Sequence, residues 1–145
     1  MSRSPDLAGT EWTILFLCWL LASISTLGSL FFSETMQFAP CVLCWYQRIF
    51  LFPLVLVFGT GLLFHDPKVV RYGVPITMAG WLIALYHNLL YTGIIPENIQ
   101  PCTQGVSCTE EYIELLGFLS IPMLSFLSFT MILILLSILK RRLSR

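Results

Sequence analysis

Residues 115–139 read LLGFLSIPMLSFLSFTMILILLSIL, and no Asp, Glu, Lys or Arg interrupts the run. A helix needs about 20 apolar residues to cross the roughly 30 Å hydrocarbon core of a bilayer. Leu115–Leu139 exceeds that length, and Trp12–Phe32, Cys44–Phe64 and Tyr72–Tyr91 have the same character. Across these windows Arg48 is the only Lys, Arg, Asp or Glu. Charged residues are 11% of the 145-residue chain, against about 25% in an ordinary soluble domain. A soluble domain of this size has no way to cover four such segments. The reading predicts an all-α membrane protein: one integral membrane domain, residues 1–145, built as a four-helix transmembrane bundle.

The remaining segments carry the orientation. Arg3 lies in the N-terminal tail, Lys68 and Arg71 join the second and third windows, and Lys140, Arg141, Arg142 and Arg145 follow the fourth. The segments 33–43 and 92–114 hold no Lys or Arg. Basic residues gather on the cytoplasmic side of membrane proteins. Both termini are therefore expected in the cytoplasm, with 33–43 and 92–114 as outer loops. Arg3 before an apolar run resembles the start of a signal peptide, but Asp6 and Glu11 dilute the basic region and the run is long for a cleaved segment. It is read as a retained span. The 8 basic and 8 acidic residues form no basic stripe, which argues against a nucleic-acid partner.

Four of the five cysteines fall at the outer loops, in bacteria the side where disulfides persist. Cys41 and Cys44 form a Cys-x-x-Cys behind Pro40, which suits a helix entry. At a helix start the unpaired N–H groups and the macrodipole favour thiolate over thiol. Cys102 and Cys108 enclose five residues in the last outer loop. Such a small exposed loop suits thiol exchange better than it suits stapling a fold. Cys18, inside the first window, reads as a small buried hydrophobe.

Three polar residues stand near the first pair. Arg48, four residues after Cys44, is either an interfacial anchor with Trp45 and Tyr46 or a fixed positive charge serving Cys44. In the second case it stabilises a thiolate, or an anionic electron acceptor in the membrane beside it. Gln47 is placed to hydrogen-bond at the same point. His87, near the outer end of the third window, is a packing residue or a proton carrier.

The run Pro40-Cys41-Val42-Leu43-Cys44-Trp45-Tyr46-Gln47-Arg48 resembles the first redox centre of the DsbB family of disulfide-forming membrane proteins, in the form of its BdbC branch. The resemblance extends to the span number and to one cysteine pair per outer loop. It implies a protein-disulfide oxidoreductase of the bacterial cell membrane, with a quinone, menaquinone or ubiquinone, as electron acceptor. It also implies a secreted DsbA-like or BdbD-like thioredoxin-fold oxidase as partner. On this reading Cys41, Cys44, Cys102 and Cys108 are catalytic. Cys44, Gln47, Arg48 and His87 border the quinone, and no metal is involved. Cys102 would form the mixed disulfide with the partner. The short spacing of Cys102 and Cys108 departs from the proteobacterial pattern, where that pair is widely separated. The alternatives are a four-cysteine structural zinc site, whose ligand pairs usually stand two to four residues apart, and a four-span protein with inert disulfides.

Overall fold

The computed structural model describes residues 7, 9–35, 37, 40–95 and 120–145. Four long helices account for nearly all of them: α1 (Thr10–Leu30), α2 (Val42–Phe64), α3 (Val69–Tyr91) and α4 (Ile121–Leu143). A π-helical turn, Phe31–Thr35, continues α1. All four helices are long and apolar enough to cross a membrane, and no strand occurs among the described residues. Each helix packs on its neighbours in sequence, and α1 closes the ring against α4. The start of α2 meets the ends of α1 and α3, through Arg48 to Ser29 and Gln47 to His87. The end of α3 meets the start of α4, through Asn88 to Pro122. Neighbouring helices are therefore antiparallel, an up-and-down four-helix bundle.

The bounds differ from the hydropathy windows at the ends. Helix α4 runs past Leu139 through Lys140, Arg141 and Arg142, cations that complement the negative end of the helix dipole. Helix α3 starts at Val69, before the apolar window at Tyr72. The α2–α3 link is short because His65 adopts the left-handed conformation (φ 52°) and returns its N–H to Gly61 O. Asp66 then accepts from the Lys68 N–H at 2.9 Å. Leu7, from the N-terminal tail, is buried and bonds His65 O. That contact puts the tail at the same end of the bundle as the α2–α3 link.

Leu15, Cys18, Leu54, Phe58, Ala84, Phe129, Ile132 and Leu136 meet along the bundle axis. Leu56, Leu63 and Phe64 are more than 70% exposed. An apolar exterior around an apolar core suits lipid, where tight packing drives helix association. Three glycines mark the closest packing, and at Gly61 an added side chain would strike Val69. A side chain at Gly80 would strike the Phe129 ring, and one at Gly73 would strike Phe58. Pro53 and Pro75 lie inside helices, whereas Pro122 occupies the first turn of α4, where it costs no hydrogen bond.

Candidate functional site

Cys41 is the residue that caps α2. Its backbone is extended (φ −68°, ψ 167°), and its Sγ accepts from the Cys44 N–H at 3.4 Å. Sulfur thus takes the place usually held by a Ser, Thr or Asp oxygen. Cys44 sits within the first turn, and the two sulfurs lie 2.8 Å apart as free thiols. Closing a disulfide from there needs a movement of only about 0.8 Å. Leu43 and Leu90, with Ile83 and Tyr86 at the edge, surround the pair with apolar groups. Cys41 is buried, and Cys44 is partly open to the surroundings.

His87 reaches this pair from α3. Its Nε2 is 3.8 Å from Cys41 Sγ, and its Nδ1 is 3.0 Å from Gln47 Nε2. The Gln47 Oε1 in turn accepts the Ser125 hydroxyl from α4. The directions follow from the chemistry of the groups. An amide nitrogen only donates, so Nδ1 is the accepting nitrogen and neutral His87 carries its proton on Nε2. That proton points at the Cys41 sulfur. Three helices thus contribute to one chain of polar groups ending on a thiol.

The hydrogen bonds converge on Cys41 rather than Cys44. The bond from the Cys44 thiol is the chief reason that Cys41 ionises well below the ordinary thiol range. Burial opposes the shift, and the His87 hydrogen bond adds to it. From sequence, Arg48 suggested Cys44 as the charged member. The contacts differ because Arg48 turns away toward α1. Its Nε donates to Ser29 Oγ and its Nη2 to Ser29 O, both at 2.7 Å. Its Cζ also stands 5.4 Å from the Trp45 ring centre. The guanidinium is buried, and it ties the start of α2 to the end of α1.

Cys41, Cys44, Gln47 and His87 thus come together, with Arg48 one turn below. Cys102 and Cys108 lie outside the described residues. Cys18 is fully buried in the bundle core. Sequence reasoning missed Ser29 and Ser125. Their one signal is being hydroxyls inside apolar spans, where an interhelical hydrogen bond is the usual use.

A dithiol at the end of a membrane bundle, buried on one side and open on the other, marks a membrane-embedded thiol oxidoreductase. Residues 11–139 match the family described as "Disulfide bond formation protein DsbB", and the chain belongs to that family. It is 46% identical over 140 residues to a "Probable disulfide formation protein" of Metapseudomonas resinovorans, covering 96% of this chain and 97% of the other. It is 47% identical over 122 residues to "Probable disulfide formation protein C 2" of Bacillus cereus, covering 84% and 87%. To "Disulfide bond formation protein C" of Bacillus subtilis it is 41% identical over 126 residues, covering 87% and 91%. No solved structure matches the chain significantly.

Proposed function

We propose that the chain reoxidises a secreted thioredoxin-fold thiol oxidase and passes the electrons to a membrane quinone. The observation that carries this reading is the pair of sulfurs 2.8 Å apart at the start of a membrane helix. A redox couple there can be reached from water and from lipid. The basic tails and the 65–71 link support an orientation with that end of α2 on the outer face of a bacterial cell membrane.

The relay has two exchanges. The partner dithiol reduces the Cys102–Cys108 disulfide through a mixed disulfide on Cys102 and leaves oxidised. The new Cys102–Cys108 dithiol then reduces the Cys41–Cys44 disulfide in the same way. Each exchange breaks one S–S bond, forms one, and moves two electrons. The reach of each group sets the order. A soluble partner meets a solvated loop more readily than a cysteine at the mouth of a membrane helix.

The residues around Cys44 fit an apolar ring arriving from lipid. Trp45, Tyr46 and Ile49 are each about half exposed beside it, and the Arg48 guanidinium lies over the Trp45 ring. Cys44, Arg48 and Trp45 would hold the ring, with Gln47 and His87 behind the pair. A bound quinone would supply the two-electron sink, leaving the Cys41–Cys44 disulfide. In the reduced pair the hydrogen bonds converge on Cys41. Closure therefore has Cys41 as the attacking sulfur and Cys44 as the sulfur facing the acceptor. The Arg48 charge lowers the cost of negative charge near Cys44. His87, bonded to Cys41, holds the proton nearest the attacking sulfur.

Trapping tests the relay. In Cys108→Ala, a partner held on Cys102 as a mixed disulfide is the expected product on non-reducing gels. Full-rate, quinone-dependent oxidation of the partner by a Cys102→Ala, Cys108→Ala double variant would refute the order of exchange.

A further inference from the structure

The geometry points to a second use of the same sulfurs: reduced Cys41 and Cys44, with His87, form a capture site for a thiophilic divalent cation, zinc being the natural case. One ligand atom from each residue lies within 4.8 Å of the other two. A tetrahedral zinc ion with its usual bond lengths separates a thiolate from an imidazole nitrogen by about 3.5 Å, and two thiolates by about 3.8 Å. Cys41 Sγ and His87 Nε2 already stand 3.8 Å apart. The two sulfurs, at 2.8 Å, must part by about 1 Å to reach the thiolate spacing. Cys44 is the partly exposed member of the pair, so that movement falls to it.

The sequence alone sets the second cysteine pair against a four-cysteine site. The fold instead supplies a third ligand from α3, forty-six residues from Cys41. The surroundings suit it. As a ligand, His87 must present a lone pair at Nε2 and carry its proton on Nδ1. Reversing the Gln47 amide turns its oxygen toward that Nδ1–H and its N–H toward the Ser125 hydroxyl, which can accept as readily as donate. Every member of the Ser125–Gln47–His87 chain stays hydrogen-bonded in both arrangements. Outer hydrogen bonds of this kind orient metal-binding histidines.

Capture is gated by oxidation state. A Cys41–Cys44 disulfide offers no thiolate, so only the dithiol binds. The cation displaces the one proton the reduced pair still holds and forms two metal–sulfur bonds and one metal–nitrogen bond. No electron moves, because zinc has no redox chemistry here. Held in this way, the dithiol cannot close into its disulfide, and turnover stops. The ligand set stands on geometry alone; the gating rests on the reading of Cys41–Cys44 as a redox pair.

Cobalt(II) added to the full-length chain in detergent tests this, with a Cys102→Ser, Cys108→Ser variant alongside. The reduced chain should show cobalt–thiolate charge-transfer and tetrahedral bands for one equivalent, bleached by zinc, in both proteins. The oxidised chain should show neither. Ser125→Ala should weaken binding about 10-fold, and His87→Ala beyond the roughly 100-fold upper range for an outer hydrogen bond. X-ray absorption of the zinc-loaded wild-type chain reads the ligands without substitution: two sulfurs and nitrogen or oxygen are expected. Absence of the bands from the reduced chain, their loss in the double variant, or four sulfur ligands would overturn the site. Quinone reduction by the metal-free chain is a separate readout. Its failure would strike the proposed function and leave the metal site standing.

Discussion

Gln47 Nε2 lies 3.0 Å from His87 Nδ1, and this contact decides which nitrogen of His87 faces Cys41. It leaves the proton on Nε2, directed at sulfur 3.8 Å away. The Cys41 thiolate thus receives hydrogen bonds from the Cys44 thiol, its backbone N–H and an imidazole.

These contacts predict a pH profile. A depressed pKa keeps Cys41 ionised across neutral pH and loses the thiolate only as the pH falls through the depressed value. With a chelator present, thiolate ultraviolet absorbance of the reduced chain, less that of Cys41→Ser, should persist well below the ordinary thiol range. Cys44→Ala should move the profile upward most, because the Cys44 hydrogen bond is the largest cause, and His87→Ala should move it less. A Cys41 titrating at the ordinary value of about 8.5 would remove the role given to these contacts.

Arg48→Leu is expected to lower quinone reduction by at least about tenfold, since hydrogen bonds to charged groups are worth about 1.5–3 kcal/mol. Ser29→Ala separates charge from tether. It removes the hydroxyl acceptor but leaves Ser29 O to hold the guanidinium, so its loss should be only a few-fold. Steady-state quinone absorbance of the two variants checks the ranking; equal losses would make the tether the whole of the effect.

Gly80→Ala and Gly73→Ala should each destabilise the bundle by about 1–3 kcal/mol, the usual cost of overpacking. The added methyl groups meet the Phe129 and Phe58 rings. Gly28→Ala faces open space and should be neutral or slightly stabilising. Thermal unfolding in detergent distinguishes them. A Gly80→Ala chain as stable as wild type would mean the α3–α4 contact is loose enough to admit a methyl group beside the Phe129 ring.

The four spans were legible because the bilayer imposes a length and an apolar composition that survive in any reading of residues 12–139. Cys41 and Cys44 were legible because the spacing of a dithiol on one helix is local. What escaped was the non-local chemistry. Nothing in the linear chain says that Ser125 reaches Gln47, or that Arg48 turns to Ser29 rather than to Cys44. Those partners depend on which helix faces which, and on small shifts in helix start such as Val42 rather than Cys44. Gly73 escaped for the same reason, since only the facing Phe58 makes a small residue necessary.

A membrane-impermeant thiol reagent applied to intact cells after mild reduction should modify Cys102, Cys108 and the partly open Cys44, while buried Cys18 stays unmodified. Modification of Cys102 only after the membrane is opened would invert the topology inferred from the loop charges.

In the proposed function, electrons leave a soluble dithiol, cross this chain and end on quinone through Cys44. The most direct test is quinone absorbance, followed after the purified, quinone-loaded chain is mixed with a reduced thioredoxin-fold oxidase. Loss of one quinone per partner dithiol oxidised is expected, abolished by Cys44→Ser. Partner oxidation with no change in quinone, or undiminished turnover in Cys44→Ser, would contradict that route.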